Sequence, residues 1–535
     1  MIKKVRQVRN NILQYLFIAV VIILIVFAVY SIYGTRKIEE ESNEEEELEI
    51  TNIQNNIRLG IAEYDTLNPI ISKNKYVQEI SKILFEPLIT ITSDYKLKNA
   101  LAKEWSKINE TTYLIKLKDN ITWHDGEKLV AKDVQFTMDR LKEGKSIYSS
   151  NVEKVTSLEV IDDTTVKIIL SEEVPFFEYY LTFPIVPYHQ YLTEDFWTST
   201  RNVAGTGMYK IKEVTGNQII LKENEEWWNW KEPYKTQNIY INLYSSVGEL
   251  YNAFKLGNID LINTSNANLS EYIGTIGYNT KEYKGREWDY LVCNTSDNVL
   301  KNKEVRQAIQ YGIDKNNIIA SILGNKYSIS NFPLDFGNYL IDGENVESKF
   351  NLELAKQTLL NNGWTYNYGT WRKTINYRTI RTNINLVVKK SNTNQVAVAE
   401  LIKKQLKEVG ITIQIIKATD YQYNRYLTNK NYQMILIGIN APISIDINSF
   451  VGKENYSNYV NEEINNLLIE IKNTQDENKI KENYQKIADI YSEEVPWIGL
   501  YYNKNTVAYS NNLRAELVPN WYNIYYNIND WYRET

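Results

Sequence analysis

Cysteine and histidine are almost absent from this sequence of 535 residues. Cys293 is the single cysteine, and His124 and His189 are the two histidines. One thiol cannot form a disulfide within the chain, and so few ligands cannot build an ordinary zinc site without carboxylates. The sequence therefore predicts no disulfide framework, no resident metal centre and no cofactor.

The chain also lacks the short motifs of common catalytic and nucleotide-binding sites. GxSxG, HExxH, the Walker A loop and GxGxxG do not occur. The net charge of -6 provides no basic surface suited to nucleic acid. An enzymatic interpretation therefore has no catalytic residue to rest on in the sequence, and no nucleic-acid partner is expected.

One stretch invites a catalytic interpretation, because NITWHDGEKLVAKDVQFT (120–137) places a histidine beside an aspartate. Asp-Gly favours a tight turn, and an apolar face of Val134, Met138 and Leu141 predicts a helix from about Ala131. Consecutive side chains on a strand point to opposite faces, so His124 and Asp125 would make a poor catalytic pair. The stretch is predicted to be a structural turn between a strand and a helix.

The N-terminus carries the longest apolar run, from Ile12 to Tyr33, preceded by four basic residues. As a helix this run spans roughly 33 Å, enough for a bilayer core, and its basic flank should stay cytoplasmic. A cleaved signal peptide is the alternative, but the run is long for one and no convincing A-x-A site follows. We predict a cytoplasmic tail (1–11), a transmembrane anchor (12–34) and a folded part outside the cell membrane.

Eight glutamates lie within Glu39–Glu49. Like charges this dense repel one another and stay extended, so residues 35–52 are predicted to be an acidic linker. Beyond it, the chain holds 42 tyrosines and 12 tryptophans. Such rings suit sugar or peptide clefts, although a biased genome composition would also enrich tyrosine. The aromatic content alone leaves a carbohydrate-active enzyme open.

Periodicity predicts an α/β protein. Strands are expected at 56–61, 111–117, 411–417 and 432–439, with a hairpin formed by 157–161 and 165–170. The clearest helices are predicted over Lys303–Leu323 and Val396–Val409, and Gly410 would end the second. Alternation of helices and strands after residue 300 favours parallel strands.

Many short segments together resemble one family. They are DTLNPI (65–70), LFEPLI (84–89), WHDG (123–126), AKDVQFT (131–137), FPIVP (183–187), GTGMYKI (205–211), AFKLGNIDL (253–261), VRQAIQYGIDK (305–315), AKQTLLNNGW (355–364), LKEVGI (406–411) and SEEVPWIGLYY (492–502). In this order they resemble the family-5 extracellular solute-binding proteins of peptide and nickel ABC transporters.

The resemblance implies a two-lobed periplasmic-binding-protein-like clamshell with an extra subdomain. Lobe I would comprise 53–92, 200–284 and 500–535, the extra subdomain 93–199, and lobe II 285–499. Two strand crossovers would form the hinge, and closure would follow from ligand contacts with both lobes. The chain would then be a monomeric, membrane-anchored extracellular component of an ABC importer that delivers peptides to permease subunits.

The approximate family register places five residues in the cleft: Tyr76, Trp288, Tyr290, Asn440 and Asp446. Family peptide binders often hold the ligand's amino group with an aspartate in the stretch matching INAPISIDINSF (439–450). Asp446 matches the second acidic position, whereas the first falls on Ile443 or Pro442. An unpaired buried ammonium is costly, so either another acid replaces it or the ligand lacks a free amino terminus.

Two other functions stay open. The missing acidic position also fits a ligand-sensing or degenerate module that is not coupled to transport. A non-peptide solute such as a metal complex is the second alternative, since nickel binding is a branch of the family. The small number of histidines disfavours a histidine-based nickel site.

Overall fold

The computed structural model describes residues 53–265, 277–335, 339–341 and 349–534. The predicted cytoplasmic tail (1–11), transmembrane anchor (12–34) and acidic linker (35–52) lie outside these ranges. Among the described residues, no helix combines the length and the apolar composition that a membrane span requires.

Strands are distributed along the whole described chain. They are β1 (Ile53–Gln54), β2 (Asn56–Ala62), β3 (Ile89–Ile91), β4 (Leu97–Asn99), β5 (Ala102–Asn109), β6 (Thr112–Leu117), β7 (Val155–Asp162), β8 (Thr165–Leu170), β9 (Tyr209–Val214), β10 (Gln218–Glu223), β11 (Asn238–Tyr244), β12 (Leu261–Thr264), β13 (Tyr278–Cys293), β14 (Tyr327–Ile329), β15 (Thr365–Asn367), β16 (Thr370–Ile375), β17 (Arg378–Arg381), β18 (Asn383–Lys389), β19 (Thr412–Ala418), β20 (Met434–Asn440), β21 (Trp497–Ser510), β22 (Leu513–Arg514) and β23 (Tyr532–Glu534).

Helices become frequent in the second half of the chain. The α-helices are α1 (Lys75–Leu84), α2 (Ala131–Lys142), α3 (Val247–Lys255), α4 (Lys303–Gly312), α5 (Lys315–Ser321), α6 (Leu352–Asn361), α7 (Thr393–Val409), α8 (Asp420–Asn429), α9 (Asn448–Val451), α10 (Glu462–Asn473) and α11 (Glu477–Glu494). Short 3-10 helices cover Ser149–Val152, Phe177–Leu181, Tyr188–Tyr191 and Ile528–Asp530.

The first half of the chain builds two four-stranded sheets around one hydrophobic core. One sheet has the order β2-β11-β10-β9, and the other is the antiparallel sheet β5-β6-β8-β7. Strand β2 alternates half-buried residues with the core residues Ile57, Leu59 and Ile61, as period-two patterning requires. The predicted strands at 56–61 and 111–117 and the predicted hairpin are confirmed. We call this body, with α1 and the C-terminal residues 511–534, the first lobe.

The second half builds a seven-stranded mixed sheet ordered β12-β21-β13-β20-β18-β19, with β14 on β21. Strand β18 runs parallel to β19 and β20, which confirms the parallel strands expected from helix–strand alternation. Strand β13, in contrast, pairs antiparallel with both β20 and β21. We call the body around β13, β18, β19 and β20 the second lobe.

Of the two helices predicted most clearly, one is confirmed and one is wrong. The prediction for 396–409 is confirmed by α7, which ends at Gly410 with φ of 96°. The single helix predicted over 303–323 is wrong, because the chain breaks into α4 and α5. The backbone is extended at Ile313 and Asp314, and the Asp314 carboxylate accepts a bond from the Asn317 N–H at 3.0 Å, so it caps a new helix.

The long strands β13 and β21 connect the two lobes. They pair from Tyr278 and Ser510, beside the edge strand β12, to Val292 and Trp497 inside the second lobe. Their register shifts between Lys284 and Trp288, so regular pairing is interrupted at the passage between lobes. This agrees with a hinge made of two strands, while the exact domain boundaries stay a prediction.

Candidate ligand-binding site

A cavity of about 530 Å³ lies where the two lobes face each other at this passage. Its wall is rich in side-chain amides, which both donate and accept hydrogen bonds. The amides are Gln78, Asn151, Asn263, Asn440, Asn503, Asn505, Asn520 and Asn523. Six of them already bond other groups of the protein, whereas Asn440 and Asn505 have no side-chain hydrogen bond among the described residues. The cavity therefore offers a polar wall to a ligand with peptide-like groups.

Helix α1 supplies one wall. The side chain of Asn74 caps it by accepting from the N–H groups of Tyr76 and Val77, and donates to the carbonyls of Ala62 and Glu63. The cap thus fixes the helix to the end of β2. Buried Val77, Ile80, Ser81, Ile83 and Leu84 face the lobe interior. Residues 75, 78, 79 and 82 repeat at helical spacing and face the cavity.

Glu79 forms a hydrogen-bonded group at this wall. Its Oε1 accepts from Asn263 Nδ2 at 2.7 Å and lies 3.8 Å from the Lys75 ammonium. The hydroxyl of Tyr283 donates to Asn263 Oδ1 at 3.1 Å. Burial raises the pKa of Glu79, opposed by the nearby charge of Lys75.

Two cations of the cavity lie over aromatic rings. The Lys82 ammonium is 3.8 Å from the ring centroid of Tyr522. Burial lowers the pKa of Lys82 to about 7. The Arg286 guanidinium is 5.0 Å from the ring centroid of Trp521, and burial lowers its pKa as well. Arg286 also donates from Nε to the Ala441 carbonyl at 2.8 Å.

The five residues predicted for the cleft have different positions. Asn440 lines the cavity. Trp288 and Tyr290 are fully buried and stacked, with ring centroids 4.2 Å apart, inside the core of the second lobe. Tyr76 is half-buried against the first lobe's core on another face of α1. Asp446 accepts the Asn448 N–H at 2.9 Å, at the start of α9.

The structure thus brings one of these five residues to the cavity, and the ligand contacts of all five stay predictions. Ile443, one of the two residues on which the family's first acidic position would fall, is half-buried and lines the cavity. Sequence reasoning missed the wall formed by α1. The available signal was the spacing of Lys75, Glu79 and Lys82 opposite an apolar face.

A second cavity, of about 730 Å³, lies on the first lobe and shares Lys82, Tyr522 and Asn523 with the first. Glu86 lies in its wall and accepts from the indole N–H groups of Trp227 and Trp228 at 3.2 and 3.0 Å. Burial raises the pKa of Glu86 to about 7. The two tryptophans, which belong to the WWNW stretch, thereby hold a buried carboxyl group.

The histidines have structural partners. His124 Nδ1 accepts from the Gly205 N–H, and Nε2 bonds the Gly207 carbonyl, both at 3.1 Å. Asp125 bonds His189 at 2.9 Å instead of its sequence neighbour. Burial lowers the pKa of His124 to about 4, so the ring is neutral. The predicted structural turn is confirmed. Within the described part of the chain, no cluster of three or more His, Cys, Asp or Glu is arranged for a metal ion.

Comparisons with known proteins cover most of the chain. Residues 96–458 match the family described as bacterial extracellular solute-binding proteins, family 5 Middle. The oligopeptide-binding protein AppA of Bacillus subtilis is 24% identical over 486 residues, which cover 85% of this chain and 87% of AppA.

Two solved structures are similar to the fold. One is the unliganded open form of the periplasmic murein tripeptide binding protein MppA, with a TM-score of 0.71 and 16% identity, covering 90% of this chain and 99% of that one. The other is a nickel ABC transporter structure from Bacillus halodurans, with a TM-score of 0.70 and 18% identity, covering 88% and 98%. These likenesses confirm the two-lobed α/β architecture of periplasmic binding proteins.

Proposed function

The chain belongs to the bacterial extracellular solute-binding proteins of family 5, and we propose that it captures peptides outside the cell for an ABC importer. The observation that carries this proposal is the amide-rich cavity between two lobes joined by β13 and β21. AppA, similar over most of its length, is named as an oligopeptide-binding protein. Peptide selectivity would be low, because amides pair with any peptide backbone.

Capture would proceed by closure about the two connecting strands. A ligand that contacts α1 on one side and β13 or β20 on the other binds the closed form more tightly than the open one. It therefore shifts the population towards closure without any bond being broken. The permease would recognise the closed form, and the protein would act as a monomer.

Recognition of the ligand's amino group would differ from the common family pattern. Ile443 presents an apolar side chain to the cavity, and the carboxylate of Asp446 accepts a backbone N–H. The cavity carboxylate Glu79 already accepts from Asn263. These contacts support a peptide with a blocked amino terminus, or a long peptide bound through its internal residues.

We also propose that residues 12–34 anchor the chain in the cell membrane. The apolar run at 12–34 follows basic residues and precedes an acidic linker, so it would tether the folded part outside the cell membrane. The linker's glutamates would keep the lobes away from an anionic membrane surface.

The test is native mass spectrometry of the full chain, extracted in a mild detergent without denaturant. Mixed short peptides released on denaturation, with blocked amino termini, are the expected result. A single non-peptide mass, such as a metal complex, would refute peptide capture while leaving solute binding intact. An empty protein that also shows no thermal shift with a peptide library would favour a sensor or degenerate module.

A further inference from the structure

Lys82 and Arg286 are two cavity cations without an acidic partner. Among the described residues, no carboxylate forms an ion pair with either charged group, whereas the nearby cations Lys75 and Lys284 pair with Glu79 and Asp335. Their aromatic supports, Tyr522 and Trp521, are adjacent, with ring centroids 5.9 Å apart. Two positive charges from opposite lobes therefore lie above neighbouring rings.

The acids nearest to Lys82 in the sequence bond other groups. Glu79, one turn earlier on α1, bonds Asn263 and approaches Lys75. Glu86, two residues beyond the end of α1, accepts from the indoles of Trp227 and Trp228. Lys82 therefore lines the cavity beside the ring of Tyr522 with neither acid as its hydrogen-bond partner, and burial lowers its pKa.

Arg286 is held by its backbone neighbours and not by an acid. Nε and Nη2 donate to the Ala441 carbonyl, which fixes the guanidinium beside β20. Within the described ranges, Nη1 has no acceptor. The next residue, Glu287, is exposed and donates its backbone N–H to Asn503 Oδ1 at 2.9 Å, and its carboxylate forms no ion pair with Arg286.

We propose that the cavity selects anionic ligands, with a carboxylate of the bound peptide held between Lys82 of the first lobe and Arg286 of the second. This inference rests on the proposed function and adds the charge class of the ligand. Two partly desolvated cations are costly while unpaired, and a carboxylate that reaches both would offset that cost only when the lobes close. Anion binding would thus favour the closed form.

The carboxylate has two sources in a peptide, an acidic side chain or the C-terminus. Three acetylated tetrapeptides separate them. One is neutral with an amidated C-terminus, one carries a single glutamate with an amidated C-terminus, and one is neutral with a free C-terminus. Titration calorimetry with the full chain in detergent gives the dissociation constant of each.

We expect at least one anionic peptide to bind about tenfold or more tightly than the neutral peptide, since charge-assisted bonds are the stronger ones. Tighter binding of the glutamate peptide alone would assign the carboxylate to an acidic side chain. Tighter binding of the peptide with a free C-terminus alone would assign it to the C-terminus. Equal affinity for all three peptides would overturn the inference and leave peptide capture intact. No binding of any peptide would overturn both.

Substitutions at Lys82 and Arg286 test whether these two cations cause the preference for anionic over neutral peptides. Lys82→Met should remove most of the preference, measured as the ratio of the dissociation constants of the neutral and anionic peptides, whereas Lys82→Arg should keep that ratio. Arg286→Gln should weaken the preference in the same way, provided that its melting temperature matches the parent. Lys132→Met is the matched control, because Lys132 lies 4.5 Å over the ring of Tyr188, away from the cavity. An unchanged preference in Lys82→Met would overturn the assignment.

Discussion

Ile443 and Pro442 are the two residues on which the first acidic position of the resembled family pattern would fall. Of the two, Ile443 lines the cavity, with an apolar side chain. We expect Ile443→Asp to tighten binding of a free-amino tripeptide about tenfold, because a partly desolvated charge pair is gained. Calorimetry with free and acetylated versions of one peptide measures the effect.

Ile147→Asp is the control for this substitution, since Ile147 also lines the cavity but is 47% exposed. It adds the same charge at another position and should give little gain. A gain of equal size in both variants would show a general field effect and would contradict a specific role for position 443.

The lowered pKa of Lys82 predicts that anion binding depends on pH. Its pKa of about 7 means that the ammonium loses its proton as the pH rises above 7 in the free protein, while a bound carboxylate raises that pKa. Affinity for the acetylated glutamate peptide should therefore be highest below pH 7 and fall by up to about tenfold between pH 7 and 9. Calorimetry at several pH values tests this.

Other titratable groups surround Lys82. They are Lys75, Glu79, Tyr148, Tyr283, Arg286, Glu287 and Tyr522 in this cavity, and Glu86, whose pKa burial raises to about 7, in the adjoining one. Burial also raises the pKa of the three tyrosines and of Glu79, so a variant that keeps the charge at position 82 is needed to separate their titration from that of Lys82. Lys82→Arg, which keeps its charge, should bind the peptide with a flat profile from pH 6 to 9. A profile that persists in this variant would exclude Lys82 as its source.

Errors of a single residue explain why sequence reasoning reached only part of the site. Trp288 and Tyr290 were chosen on β13, but Glu287 lines the cavity, and neighbours on a strand face opposite sides. Tyr76 was chosen on α1, but Lys75 lines the cavity, and one residue turns a helix by about 100°. The family register thus places Trp288 and Tyr76 one position away from residues that line the cavity, and their ligand contacts stay predictions.

At the scale of elements, the end of α1 rests against the segment Gly205–Gly207. A Cβ atom at Gly205 would lie 1.8 Å from the carbonyl oxygen of Leu84, which leaves no room for a side chain. Gly205→Ala should lower the free energy of unfolding by about 3 kcal/mol, because the backbone of α1 must shift. Denaturant unfolding followed by circular dichroism measures it.

Gly216→Ala is the matched control, because no atom lies within 4 Å of a Cβ at that position. Its effect should stay within about 0.5 kcal/mol. Equal stability of the two variants would contradict the close approach between α1 and the glycine segment.

Most helices and strands could be predicted because the apolar periodicity that marks each one lies within its own segment of the sequence. Strand β6 and the hairpin of β7 and β8 alternate in polarity, and α7 has an apolar stripe followed by a glycine. The break at Asp314 was missed because the apolar periodicity continues through it. The antiparallel position of β13 was missed because pairing depends on residues more than 140 positions away, which local pattern does not encode.

At the scale of the whole molecule, ion pairs on exposed edges bridge the two lobes. Lys96 lies 3.0 Å from Glu477 on α11, and Glu173 pairs with Lys472 on α10. Each of these exposed pairs adds a small attraction between the two lobes. The double variant Glu173→Gln/Glu477→Gln should therefore weaken peptide binding about three- to tenfold and increase the ligand-free radius of gyration. Calorimetry and small-angle scattering are the measurements.

Glu172→Gln serves as the control, since Glu172 pairs with Lys154 at 2.6 Å within the first lobe. It removes an equivalent charge without touching the second lobe, and should change neither affinity nor size. A double variant that behaves like this control would show that the bridging pairs do not influence closure.

The pairing of β1 with β23 has a consequence for the order in which the protein is made. Residues 53–54 pair with 533–534, so the first lobe contains both ends of the described chain. Strand β21 likewise follows the other strands of the second lobe and pairs with β12 and β13. On the ribosome, the second lobe can therefore form as one continuous stretch that β21 completes, whereas the first lobe also needs residues 533–534. A chain without residues 511–534 would hold a complete second lobe and an unfinished first one.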